Sequence, residues 1–103
     1  MKPYVIVELD RPRTLRYGFN ELCKLEDVLG RKITELNSVQ WGAKEIRALL
    51  WIGLSREDSS LTPERVGELI DMAGDITKLV EKIAEALQLS LGGQKNLNTE
   101  AQG

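Results

Sequence analysis

The sequence predicts an α+β fold, mainly helical, in which an N-terminal β-hairpin packs on a bundle of about four helices. Three observations predict it. Val5, Val7 and Leu9 alternate with Tyr4, Ile6 and Glu8 at the start of the chain, a Pro-containing segment at residues 10–13 reverses direction, and from residue 20 onward apolar residues recur at spacings of three and four. The 103 residues are 42% hydrophobic and 29% charged. That suits one compact domain burying about two-thirds of the surface its unfolded chain exposes. The domain is expected over residues 1–91, with residues 92–103 as a disordered, flexible C-terminal tail.

Residues 4–9 form the first expected strand, because β-branched side chains fit a pleated, half-buried surface. Asp10-Arg11-Pro12-Arg13 is the turn: Pro fixes its own φ, and Asp can accept from the backbone ahead of it. Residues 14–17 return as the second strand, with Leu15 and Tyr17 on one face. Two strands alone are marginal in water, so the hairpin has to dock on something.

The helices supply that support. Asn20 is the expected N-cap of the first, Leu22, Leu25 and Leu29 its apolar stripe, and Gly30 its terminator. Cys23 within it reads as a small buried hydrophobe. Thr34 is expected to cap a short helix through Leu36 and Val39. A stronger helix follows Gly42 and runs over Ala43–Leu54. Its stretch Ala48-Leu49-Leu50-Trp51-Ile52-Gly53-Leu54 is apolar on nearly every side, which places it at the centre of the core, with Trp51 inside. Gly53 would let a neighbour approach the helix closely. Trp41, at the loop–helix junction, is the candidate partner-binding residue, since Trp is enriched at binding hot spots.

Residues 55–60 are polar and charged, a surface connection. Thr62 then caps, Pro63 suits the first helical position because its missing N–H would have had no partner, and Glu64 complements the helix dipole. Leu61 and Val66 have the spacing of a hydrophobic staple. Val66, Leu69, Ile70 and Ala73 mark the buried face. Gly74-Asp75 ends this helix and starts the last, where Ile76, Leu79, Val80, Ile83, Ala84 and Leu87 face inward. Gly92-Gly93 should break it.

Charge and residue types narrow the function. Residues 1–53 carry nine basic and seven acidic side chains, residues 54–103 five and nine, for a net charge of -2. An acidic second half disfavours nucleic acid, whose binding leans on clustered Lys and Arg. Arg11, Arg13 and Arg16 read as a solvated strand face. No apolar run approaches the roughly 18 residues of a membrane span, and the start lacks the h-region of a signal peptide. The absence of His removes the commonest metal ligand and the usual neutral-pH general base. Glu57-Asp58 lacks the further ligands and bend glycine of a Ca²⁺ loop and reads as a solvated pair. No catalytic, cofactor-binding or metal residues are expected, and a chain that works by binding rather than by catalysis is the reading left.

Leu15-Arg16-Tyr17-Gly18-Phe19-Asn20 closes the hairpin, and Leu22-Cys23-Lys24-Leu25-Glu26 runs on to Gly30. Ile46-Arg47-Ala48-Leu49-Leu50-Trp51-Ile52-Gly53-Leu54 and Leu61-Thr62-Pro63-Glu64-Arg65-Val66-Gly67-Glu68-Leu69-Ile70 follow. The hairpin and these stretches, in this order, resemble tail assembly chaperones of tailed phages and gene transfer agents. The resemblance covers roughly residues 4–90, and each stretch alone is mostly capping and core residues. The resemblance implies a non-catalytic protein without cofactors that acts in the host cytoplasm. Its implied partners are the tape-measure protein and the tail-tube protein, with self-association over the same apolar surface. It would be absent from the mature particle. The alternative is a structural tail-tube or neck component retained there.

Overall fold

The chain folds as a hairpin on four helices in a computed structural model that describes residues 3–36 and 40–100, with side chains of the last helix described through Leu91. Strand β1 (Val5–Glu8) pairs antiparallel with β2 (Pro12–Leu15), setting Val5 opposite Leu15 and Val7 opposite Arg13. The turn is tighter than expected. Pro12 already belongs to β2, where its missing N–H falls on a position that would not donate to β1. Val5, Val7, Leu15 and Tyr17 are buried, while Ile6 and Glu8 face outward.

Helix α1 (Phe19–Leu29) begins two residues earlier than an N-cap at Asn20 would place it. Gly18 is the N-cap, and the Glu21 carboxylate accepts from its N–H at 2.8 Å. A carboxylate at the third position can serve an orphan amide that the cap residue cannot. Leu22 and Leu25 are the buried stripe of α1. Cys23 lies about 100° round the helix from Leu22 and is exposed, so the expectation of a buried thiol is corrected. Gly30 and Gly74 hold the left-handed conformation that ends α1 and α3, at φ 69° and 78°. Between α1 and α2 there is one 3₁₀ turn, Ile33–Glu35, after Lys32 and not after Thr34. Val39, expected to extend it, lies outside the described residues.

Helix α2 (Ala43–Leu54) is the hub, touching α1, β2, α3 and α4. Leu49, Leu50 and Leu54 are fully buried in it. The hairpin docks on its C-terminal half through three contacts. Arg16 N–H donates to Gly53 O at 2.9 Å, and Tyr17 O–H donates to Leu49 O at 2.6 Å. The third is steric. A Cβ on Gly53 would sit 2.4 Å from Leu15 Cδ1 and 2.7 Å from Tyr17 Cζ, so only a residue without one lets the strand come this near. Burial pushes the Tyr17 phenol far above its ordinary pKa, keeping it a neutral donor.

Helix α3 (Pro63–Ala73) starts as the sequence specifies, Thr62 Oγ1 accepting from Arg65 N–H at 3.1 Å, with Leu61 and Val66 both buried. Asp75 then accepts from Lys78 N–H at 3.1 Å to open α4 (Ile76–Glu100). Leu79, Ile83, Ala86 and Leu87 of α4 close the core, the helix packs along β1, and Ser90 Oγ donates to Tyr17 O. The helical backbone passes through Gly92-Gly93, where a stop was expected; helix-interior glycine costs only about 1 kcal/mol. The tail expected over residues 92–103 falls on residues whose side chains are outside the described set. Among the described residues no helix is long and apolar enough to cross a membrane.

Candidate partner-binding surface

Arg13, expected on a solvated strand face, is the one buried charged residue among those described, at 5% exposure. It shares the inward face of β2 with Leu15, and three carboxylates make that position tolerable. Its guanidinium grips Asp10 with two bonds, Nε–Oδ1 at 2.7 Å and Nη2–Oδ2 at 2.9 Å. Nη1 reaches Glu57 Oε2 at 3.3 Å and Asp58 Oδ2 at 3.4 Å. Glu57 also pairs with Arg11 at 3.0 Å and accepts from Thr14 N–H. Glu57 and Asp58 are therefore not a solvated pair but the clasp that ties the α2–α3 connection to the hairpin. Arg13 bonding holds the Asp10 carboxyl down to about 2, and bonds from Ser60 lower that of Asp58. With its charges matched inside the chain, the cluster is a structural element.

The apolar clefts lie elsewhere, on either side of the outward ridge of α2. One, of 350 Å³, opens between α1 and α2 and includes Val28, Leu29, Ala48, Trp51 and Pro63. The other, of 290 Å³, opens between α2 and α3 and includes Ile46, Gly67, Ile70 and Ile76. Val28 and Ile76, at 47% and 46% exposure, are exposed large apolar side chains on these clefts, as Ile6, Phe19 and Met72 are elsewhere. Both clefts are near the small end of small-molecule pockets, about 300–1,000 Å³, and open to solvent. A third cleft, of 460 Å³, separates β1 from the α3–α4 corner; Glu8, Asp75, Lys78 and Lys82 give its walls both signs of charge.

Lys44 and Arg47 form the shared wall of the two α2 clefts. Arg11, Arg13, Arg31, Arg56 and Arg65 each pair with a carboxylate. Among the described residues Lys44 and Arg47 do not. Glu45, their neighbour, is taken up by Arg31 at 3.1 Å and by Gly42 N–H at 2.8 Å, which together lower its pKa. The result is a basic, apolar face on a chain of net charge -2.

Trp51 is half-buried: its N–H donates to Leu61 O at 2.9 Å, Lys24 Nζ stands 4.9 Å from its ring centroid, and the side chain lines the α1–α2 cleft. Trp41, the candidate partner-binding residue, is also half-buried. It packs against the core and donates to Leu36 O at 3.2 Å, and it lines neither α2 cleft. Comparison with protein-family models, with curated proteins and with solved structures finds no match to this chain.

Proposed function

We propose that this chain is a non-catalytic tail assembly chaperone. It binds apolar helical stretches of a tape-measure protein in the host cytoplasm, helps recruit tail-tube subunits, and leaves before the particle is complete. The observation that carries this reading is the pair of open apolar clefts flanking unpaired Lys44 and Arg47, the kind of surface into which an amphipathic helix lays its apolar face. The resemblance of residues 4–90 to tail assembly chaperones supplies the partner's identity. Coating such stretches keeps them from associating with one another, because exposed apolar patches above a few hundred Å² drive aggregation.

Co-expression tests it. A tape-measure fragment expressed alone should be largely insoluble and should become soluble, and co-purify, with this protein. Unchanged solubility would overturn the reading. Mass spectrometry of purified particles provides the second test: recovery in many copies would make the protein a retained tube or neck component instead.

A further inference from the structure

Gly67 stands in the middle of α3, and packing inside the chain does not require it. A Cβ at Gly67 would meet only Arg47 Cδ, at an ordinary 3.6 Å, whereas at Gly53 it would collide at 2.4 Å. Glycine in a helix interior is unfavourable, so the missing side chain needs another reason. It lines the α2–α3 cleft together with Ile46, Ile70 and the half-exposed Ile76, so a side chain added there would take up space in the cleft. Among the described residues, the charged side chains that line that cleft are Lys44 and Arg47.

We infer that the α2–α3 cleft seats one amphipathic helix of the partner, its apolar ridge over Gly67 and its flanking carboxylates on Lys44 and Arg47. The inference rests on the tape-measure reading for the partner's identity, but the chemistry stands on the cleft. Two neighbouring helices present rows of side chains between which the ridge of a third can lie. Two cations with no internal carboxylate attract acidic flanks and repel basic ones, so charge sets which apolar helices are accepted. The binding face thereby discriminates by sign, while the apolar ridge supplies the area.

The experiment uses two synthetic amphipathic peptides of about 18 residues, long enough to span roughly 27 Å as a helix. They share one Leu/Ile face and differ only in flanks of Glu or of Lys. Fluorescence anisotropy against the full chain should show the Glu peptide binding about tenfold more tightly, as expected for two partly exposed ion pairs, with the gap narrowing in high salt. Lys44→Glu/Arg47→Glu should invert the preference. Gly67→Leu should weaken the Glu peptide by at least about tenfold while circular dichroism stays that of the parent and the melting temperature does not fall below it. Equal binding of both peptides, or a Glu peptide indifferent to both variants, overturns the inference. So does a concentration-dependent dimer abolished by Gly67→Leu, which would assign the cleft to a second copy. The tape-measure fragment separates the two levels. If it is solubilised equally by parent and variants, the cleft inference fails and the chaperone reading stands. If the parent binds the Glu peptide through the cleft but leaves the fragment insoluble, the chaperone reading fails and the cleft inference stands.

Discussion

The same substitution at two helix glycines should move stability in opposite directions. Gly→Ala in a helix interior stabilises by about 0.5–1 kcal/mol when the methyl group has room. At Gly67 the new Cβ meets only Arg47 Cδ at 3.6 Å, so Gly67→Ala should deliver that gain. At Gly53 the Cβ would lie 2.4 Å from Leu15 Cδ1, 2.7 Å from Tyr17 Cζ and 2.8 Å from Tyr17 Oη. Both neighbours are buried, at 0% and 3% exposure, and Tyr17 is further held by its bond to Leu49 O, so neither can swing aside freely. Overpacking a tight core costs about 1–3 kcal/mol, and displacing the hairpin strains the Tyr17 and Arg16 hydrogen bonds as well. Net of the helix gain, Gly53→Ala should destabilise by about 1–2 kcal/mol. For a domain of this size each kcal/mol shifts the melting temperature by about 4–8 °C, so the two variants should straddle the parent by an easily resolved margin. Thermal melts by circular dichroism, with urea titration to check that the m-value is unchanged, make the measurement. If Gly53→Ala melts at or above the parent, the hairpin does not press on α2 as described and the account of the core fails.

Three further outcomes follow from the packing and the ion cluster. Leu50→Ala should cost about 2–5 kcal/mol in urea unfolding, since Leu50 is fully buried in α2; a variant melting within a degree or two of the parent would make α2 peripheral. Arg13→Ala should cost about 2–4 kcal/mol, below the figure for a fully buried pair because its carboxylate partners stay 17–28% exposed; a loss under half a kcal/mol would show the clasp to be incidental. Asp10, lowered from 3.8 to about 2 in the fold, contributes stability that is fully present above pH 4 and drains away as pH falls through about 2. Urea midpoints should therefore drop more steeply between pH 4 and 2 for the parent than for Asp10→Asn, and parallel profiles would refute the pairing.

Which features could be read from the sequence depended on how locally each was specified. Thr62-Pro63-Glu64 announces a helix start within three residues, and the structure places the cap there. The apolar run 48–54 could only be central, and the space that Gly53 leaves is filled by the hairpin. Arg13 was missed although a local signal existed. It stands two residues before Leu15 and four before Tyr17, the same parity and therefore the same face of the strand. Its charge argued for solvent; one partner that overrules that argument, Asp10, lies three residues back, but Glu57 and Asp58 lie 44 and 45 residues on. Cys23 was misplaced for the reverse reason: residue type suggested burial while the Leu22–Leu25 spacing had already pointed the helix elsewhere. The α2 clefts could not be read at all, because they depend on the separation between helices and on which cations lack internal partners. Trp41 drew attention as a residue type, whereas Lys44, Arg47 and Gly67 bear on the surface only through where α2 and α3 set them.

The clasp between Arg13 and the loop before α3 also sets an order of events during synthesis. The hairpin leaves the ribosome ahead of the helices, yet its buried guanidinium has to wait for Glu57, 44 residues later, and Tyr17 O has to wait for Ser90, 73 residues later. At about 5–20 residues per second, the first of these waits lasts roughly 2–9 s. For that interval β1 and β2 have neither a helix to lie on nor a full set of countercharges for Arg13, and a two-stranded ribbon alone is barely stable. The hairpin, made before the helices it rests on, is thus secured only after them, and an emerging chain would spend those seconds with its Val5–Val7–Leu15 face open to its neighbours on a polysome.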